Sequence, residues 1–387
     1  MGEFKDMELS ELRKQIDAID DELVSLFLKR MDVSGEVAKA KMQSNTAVMD
    51  SGRERAIVSR LTKGLDDDTA NYVSVLYSTI FEISRAKQRK MLSHDTKLAD
   101  EIKEAKLSTD ELFPYAADVA VQGVEGAYSQ HACDRLFVRP DITYTENFKD
   151  VFKLVDSEKC RYGVVPIENS LHGSVGEVYD LLKEYKDKIH IVRCVRIPIY
   201  HSLLAKKGAQ LSDIKKVYSH SQAIGQCSEF LALHPDIEVN VCKNTAAAAK
   251  MVAESDRGDI AAISSADCAE LYGLGILKTD IQNSDNNHTR FICISKKLEI
   301  YPGASKIGIM FTVKHKAGSL FNMLARFACL GVNLTKLESR PIKGRDFEFM
   351  FYAEMDIYGL SPALLSFLCE LDDRPEEFVF LGNYSEI

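Results

Sequence analysis

The chain is 387 residues long, with 45% hydrophobic and 28% charged side chains, a balance that excludes disordered, collagenous and membrane-spanning classes. At ~150 residues per domain this length corresponds to about 2.6 domains, so a single core is not expected. The 49 Lys and Arg stand against 58 Asp and Glu, a net charge of -9, which repels nucleic-acid backbones and acidic membranes and leaves any anionic ligand to local cations.

The N-terminus, Met1 to Ser10, is acidic and has no apolar run of signal-peptide length, and no stretch approaches the ~20 apolar residues of a membrane span. Nine cysteines, none in a Cys-x-x-Cys pair, are expected as buried thiols of a cytoplasmic protein. Leu9, Leu12, Ile16, Ile19, Leu23, Leu26, Phe27, Val33 and Val37 recur at spacings of three and four. This predicts one long amphipathic helix whose stripe needs a partner. Shorter helices are predicted over about 53–61 and 70–91, with no strand signal before residue 115. The all-helical domain is bounded as 1–92, and the charged stretch 93–116 reads as a linker with some helix.

From Asp118, short β-rich runs (DVAVQG, ITYT, YGVVPI) alternate with helical patterns, which implies a parallel sheet covered on both faces. The extended run 189–204 leads to a second set containing VYS, EVNVC and DIAAIS, and 274–297 can return to the first. Residues 117–297 are therefore expected as two α/β lobes with a cleft between them. After Tyr301-Pro302-Gly303 come strand (306–315), helix (319–330), strand (332–340), strand (347–357), helix (362–371) and strand (378–381). That βαββαβ order, bounded as 304–384, is ferredoxin-like.

Two cations interrupt the stripe of the first helix. Arg30 falls between Phe27 and Val33, and Lys41 follows Val37 by four; eleven residues set them ~16 Å apart on nearly one face. A buried cation without a partner is expensive, so either both snorkel or pair with acids such as Glu36, or they line an anion pocket. Arg13, then Asp50, Arg53 and Glu54, then Ser84 and Gln88 one turn apart, complete the set. With Leu12-Arg13, Lys29-Arg30, Glu36-Val37-Ala38-Lys39-Ala40-Lys41, Asp50-Ser51-Gly52-Arg53-Glu54-Arg55 and Ser84-Arg85-Ala86-Lys87-Gln88 in order, residues 8–91 resemble the all-helical class of chorismate mutase. The resemblance implies a unimolecular rearrangement of chorismate to prephenate, without nucleophile, metal or cofactor, driven by positioning and charge stabilisation. Arg30 and, across a dimer, Arg13 would clamp two carboxylates. Lys41 and Gln88 would donate to the breaking ether oxygen. Glu54, with Asp50 nearby, would take the ring hydroxyl, and Arg53 and Ser84 would complete the pocket.

In the middle segment polar clusters fall at strand ends, where open α/β sheets bind ligands. They are Gly123 to Ser129, Pro166-Ile167-Glu168-Asn169-Ser170 with His172 to Val175, Ser219-His220-Ser221-Gln222-Ala223 with Gln226, and Asn244-Thr245. Each alone is more simply a helix cap. Together with Asn287-His288-Thr289-Arg290-Phe291 they resemble prephenate dehydratase over 117–297, with Ser221 where many members carry Pro. This implies loss of CO₂ and water from prephenate. Thr289 would donate a hydrogen bond to the departing hydroxyl, Asn169, Ser219 and Gln226 would orient substrate with Glu168 nearby, and Arg290 would neutralise carboxylate charge.

The last segment carries no catalytic constellation. Gly318-Ser319-Leu320, Asn333 and Glu338-Ser339-Arg340-Pro341 are by themselves turn chemistry and a surface ion pair of little worth. They resemble the regulatory ACT domain that follows prephenate dehydratase, with Ser319 in place of Ala and Glu354 where Asp is usual. L-Phenylalanine, bound between paired modules, is the implied effector. The whole reads as a bifunctional enzyme of phenylalanine biosynthesis, a homo-oligomer (dimer or tetramer) that binds neither nucleic acid nor membrane. The alternative is a chorismate mutase fused to a two-lobed, periplasmic-binding-protein-like sensing module without catalysis, against which the Asn169, Ser219 and Thr289 set argues.

Overall fold

A computed structural model describes residues 9–44, 50–92, 96–342, 344–345, 348–373 and 376–387. It opens with α1 (Leu9–Ser44), α2 (Ser51–Thr62) and α3 (Asp67–Leu92). The 36 residues of α1 contain no proline, so nothing breaks the backbone ladder. Asp50 caps α2 by accepting from the Arg53 backbone N–H at 2.9 Å. On α1, Met31, Ser34 and Ala38 are buried, and α1 packs on α3. Ile16, Ile19, Leu23 and Leu26 are each more than half exposed, so the predicted stripe is uncovered in one chain. No helix among the described residues is long and apolar enough to cross a membrane.

The stretch expected as a linker contains α4 (Lys97–Ser108), whose Leu98, Ile102 and Ala105 are buried in the hydrophobic core of the C-terminal module. The spacing of those three residues places them on one helical face. Charge on the opposite face hid this from a composition argument.

The first lobe comprises β1 (Ala116–Gln122), α5 (Tyr128–Leu136), β2 (Arg139–Thr145), α6 (Phe148–Asp156), β3 (Tyr162–Asn169), β4 (Gly173–Ser174), α7 (Gly176–Glu184) and β5 (His190–Pro198). The chain then crosses into β6 (Ser202–Ala205), β7 (Lys216–Ser219), α8 (Ser221–Gln226), α9 (Ser228–Ala232), β8 (Glu238–Val241), α10 (Thr245–Glu254), β9 (Ile260–Ser264), α11 (Asp267–Leu271) and β10 (Gly275–Lys278). These five strands form the second sheet, in the order β10-β6-β9-β7-β8. Strand β11 (His288–Ser295) returns to the first lobe, antiparallel to both β3 and β5. The sheets are therefore mixed rather than purely parallel, because the crossing strands enter each lobe from the other.

The C-terminal module is β12 (Lys306–Thr312), α12 (Ser319–Cys329), β13 (Asn333–Pro341), β14 (Phe349–Asp356), α13 (Pro362–Asp372) and β15 (Phe378–Glu386). Its strand order, β13-β14-β12-β15, continues through β5 into β11-β3-β1-β2, so one ten-stranded sheet runs through module and lobe. The joint is a short parallel pairing of Ser385 with Arg193 and Glu386 with Cys194. Gly382 makes the close approach possible. Its φ is +152°, and a Cβ there would lie 2.1 Å from the Ile191 carbonyl oxygen. The final strand, expected to stop at 381, continues to Glu386 because this glycine bends the strand onto β5 rather than ending it.

Candidate active sites

The first candidate site lies between α1 and α3. Arg30 Nη1 donates to Ser84 Oγ at 2.6 Å, and its guanidinium sits 5.6 Å from the Phe81 ring centre. Gln88 Nε2 donates to Ser34 Oγ at 2.9 Å, while Gln88 Oε1 is buried and accepts no bond from the described residues. Arg30, Ser84 and Gln88 are thus brought together by one face of each helix. Half-buried Lys41 lies three turns along α1, and Asp50 and Arg53 are exposed at the start of α2. Glu54 is ion-paired with Arg85, which also grips Glu82. Arg13 is not brought to this set. It lies seventeen residues before Arg30 on the same helix, ~25 Å away. Ser34 and Arg85 were missed as site residues, although Ser34 follows Arg30 by one turn and Arg85 adjoins Ser84.

The second candidate site lies between the lobes. Asn169 at the end of β3 is in register with Thr289 at the start of β11. Asn169 Nδ2 donates to Thr289 Oγ1 and to Asn287 Oδ1, each at 2.9 Å. Asn169 Oδ1 accepts the Leu171 and His172 backbone N–H groups at 3.0 Å, which fixes the amide. Gln226 Oε1 accepts from Asn287 Nδ2 at 2.9 Å and from His201 Nε2 at 2.8 Å. Thr289, Asn169, Asn287, Gln226 and His201 therefore form one hydrogen-bonded network reaching from β11 to α8. Because the Thr289 oxygen accepts from Asn169, its own O–H points elsewhere, available to a ligand.

Burial pushes His201 below the ordinary imidazole value, against the pull of its bond to Gln226. Its Nδ1 is buried with no bond from the described residues, so burial favours the neutral ring. His201 and Asn287 were also missed. Asn287 adjoined the motif, but His201 sits in the crossover between β5 and β6 and has no local signature.

Ser219 ends β7 fully buried, its Oγ donating to the Ile263 carbonyl at 2.7 Å. That leaves only its lone pairs for a ligand, and among the described residues no bond joins it to the network.

Glu168 and Arg290 require a correction. Successive residues of a strand face opposite ways, so the neighbours of Asn169 and Thr289 point to the other side of the sheet, where they are paired in register. There Arg290 meets Glu168 at 3.3 Å, Glu354 at 2.8 Å and Glu386 at 2.8 Å. Glu168 is also held by Lys336 at 2.6 Å. The expected substrate contacts of this pair are instead ties between lobe and C-terminal module.

In that module Gly318 caps α12 with φ of 79°. Ser319 and Leu320 line a pocket of about 360 Å³ with Lys314, Phe349 and Phe351. Asn333 and Glu338 to Pro341 do not line it. Alternation along β13 turns Glu338 and Arg340 inward, where Glu338 accepts from Ser174 Oγ at 2.8 Å and Arg340 reaches Asp180 at 3.1 Å. Ser339 and Pro341 face outward with Asn333.

The family model for chorismate mutase type II matches residues 12–89, and that for prephenate dehydratase matches residues 119–299. The bifunctional chorismate mutase/prephenate dehydratase of Escherichia coli (strain K12) is 32% identical over 386 residues, covering 96% of this chain and 95% of its own. Among solved structures, prephenate dehydratase from Arthrobacter aurescens in complex with L-Phe matches with a TM-score of 0.63 and 29% identity, covering 69% of this chain and 89% of its own. A protein described as a novel type of quorum quenching acylase matches with a TM-score of 0.63 and 29% identity, covering 70% of this chain and 98% of its own; the two-lobed fold alone therefore does not fix the chemistry. The near full-length agreement, with both family models in the expected order, does: the chain belongs to the bifunctional chorismate mutase/prephenate dehydratase family.

Proposed function

We propose that the chain rearranges chorismate to prephenate in its helical module, converts prephenate to phenylpyruvate between its lobes, and is feedback-inhibited by L-phenylalanine at its C-terminal module. The observation that carries the second reaction is the Asn169 to Thr289 hydrogen bond. It turns the threonine proton outward, toward a hydroxyl that gains charge as it leaves. Such a donor need not be acidic. It strengthens with the charge it meets in the transition state, which is where stabilisation raises the rate.

In the mutase site Arg30 is bonded to Ser84 and Gln88 to Ser34, with Lys41 further along α1. Arg30 would hold one carboxylate, and Lys41 and Gln88 the ether oxygen. Arg13 can join only from a second copy, because one straight helix cannot fold back ~25 Å. The uncovered Ile16, Ile19, Leu23 and Leu26 supply the apolar face such a copy would bury, so we read the protein as a homodimer through α1 at least. The Phe-bound Arthrobacter relative supports phenylalanine as effector. The free thiols support a reducing, cytoplasmic setting.

The test is a coupled conversion. Chorismate given to the purified chain is expected to yield phenylpyruvate, followed by ultraviolet absorbance, with prephenate as the transient species and phenylalanine slowing its loss. Accumulation of prephenate without phenylpyruvate would favour the sensing-module reading instead.

A further inference from the structure

Helix α3 serves two modules. One stretch of it carries Ser84 and Gln88 to the mutase site, and another carries Ser78 and Glu82 to α12 of the C-terminal module. Ser78 and Glu82 are four apart on α3, as Asn322 and Arg326 are on α12, so each pair is one turn long and on one face. They meet in register. Ser78 and Asn322 exchange hydrogen bonds at 2.9 and 3.1 Å, and Arg326 lies 3.9 Å from Glu82. Arg326 is itself bidentate to Glu370 of α13, with one bond at 2.7 Å, and sits 4.4 Å over the Phe367 ring.

Glu82 continues inward to Arg85, and Arg85 to Glu54. Five alternating charges thus run from α13 to the mutase site: Glu370, Arg326, Glu82, Arg85 and Glu54. Arg85, Arg326 and Glu370 are each under a tenth exposed, so water screens the chain poorly. Glu82, Arg85, Asn322 and Arg326 also line a cavity of about 200 Å³ at this seam, as does Ser319. The seam therefore has room to shift.

We propose that Arg85 is a positioning residue for Glu54 and that α12, through Arg326 and Glu82, sets how firmly it does so. Glu82 is shared by two guanidinium groups. When Arg326 holds it, Arg85 is freer to fix Glu54; when α12 withdraws Arg326, Glu82 draws Arg85 away and Glu54 loses its anchor. Helix α12 starts at Gly318-Ser319-Leu320, so occupancy of that turn by an effector bears directly on α12. This route rests on the effector reading above and gives it a path to the mutase, separate from the Arg290 ties that reach the dehydratase.

The test uses the full chain and assays both reactions with and without phenylalanine. Arg85→Gln is expected to raise the chorismate KM at least tenfold with kcat within threefold, and Arg85→Lys to restore most of it. A wild-type KM in Arg85→Gln, or no rescue by lysine, overturns the positioning role. The paired variant Arg326→Gln/Glu370→Gln removes both buried charges together. It is expected to weaken phenylalanine inhibition of the mutase at least fivefold while dehydratase inhibition stays within twofold. Unchanged mutase inhibition in that variant overturns the route. Should it fold poorly, Asn322→Ala, which buries no charge, must weaken mutase inhibition at least threefold. A wild-type mutase indifferent to phenylalanine, beside a dehydratase that responds, overturns the route alone; indifference of both reactions overturns the effector reading instead.

Discussion

The Arg290 guanidinium donates to both carboxylate oxygens of Glu354, at 2.9 and 2.8 Å, although Arg290 is the immediate neighbour of Thr289. Glu354 is only 2% exposed, so it depends on this cation together with Lys306 at 3.4 Å and the Tyr384 hydroxyl at 2.9 Å. Removing one partner of a buried pair leaves the other uncompensated, which costs about 3–5 kcal/mol. Arg290→Ala is therefore expected to lower unfolding free energy by that amount in urea denaturation. A loss below about 1 kcal/mol would show that the network relaxes around the gap.

The same carboxylate predicts an acid limb of stability. Burial would raise the Glu354 carboxyl, but Arg290, then Lys306 and Tyr384, outweigh burial and hold it below its ordinary 4.5. Above that value the group is ionised in folded and unfolded chains alike, and its stabilisation is fully present. As pH falls through 4.5 the unfolded chain takes up the proton first, and the contribution shrinks until the folded carboxyl also protonates. Urea midpoints measured from pH 6 to 4 should fall more steeply in the wild type than in Glu354→Gln. Equal slopes would contradict the assignment.

His201 predicts a second, higher limb. Protonating it would place an N–H on a buried Nδ1 that no described group accepts from, and burial holds its value below the ordinary 6.5. Above pH 6.5 the neutral ring costs nothing; below it the unfolded chain gains a proton that the folded chain resists, so stability and dehydratase activity decline. His201→Gln keeps a donor for Gln226 without titrating. Its dehydratase rate between pH 7 and 5.5 should be flatter than that of the wild type, and an identical profile would rule His201 out as the source.

Thr289→Ala is expected to lower dehydratase kcat by about 10² to 10⁴, the range of a lost proton-donating group, with mutase kcat unchanged. Thr289→Ser keeps the hydroxyl and the Asn169 bond and should retain most activity. Parallel loss of both activities would argue against separate sites.

Lys41→Ala is expected to lower mutase kcat by about 10² to 10³, the cost of one preorganised donor to developing charge, with dehydratase turnover on supplied prephenate intact. Circular dichroism would check that α1 persists. Undiminished mutase turnover would remove Lys41 from the site.

What could be read from the chain and what could not divide along sequence distance. The long first helix, with Arg30 and Lys41 set in its stripe, follows from spacing within a few turns. Asn169 and Thr289 announced themselves because each stands in a strand-end motif, yet only the β3–β11 register shows that they touch. That register also explains the misreading of Glu168 and Arg290: they share a motif with the site but face the other way. Arg326 and His201 had no local signature at all. One reads as an ordinary helical cation until α3 is laid beside it, and the other lies in a crossover whose partners are 25 and 81 residues away. The joint between β15 and β5 was equally hidden, since it joins segments about 190 residues apart through two paired positions.

The double duty of α3 bears on how such a chain could have been assembled and how it can be taken apart. A mutase attached by a flexible tether could be gained or discarded in evolution without consequence for its neighbour. Here deletion of residues 1–92 would uncover Asn322 and the Arg326–Glu370 pair together, leaving α12 with a polar scar where a domain had been. Lineages that carry the dehydratase alone would have to repair that face, and residues at the positions of Asn322 and Arg326 would record whether an ancestor once bore the helical module.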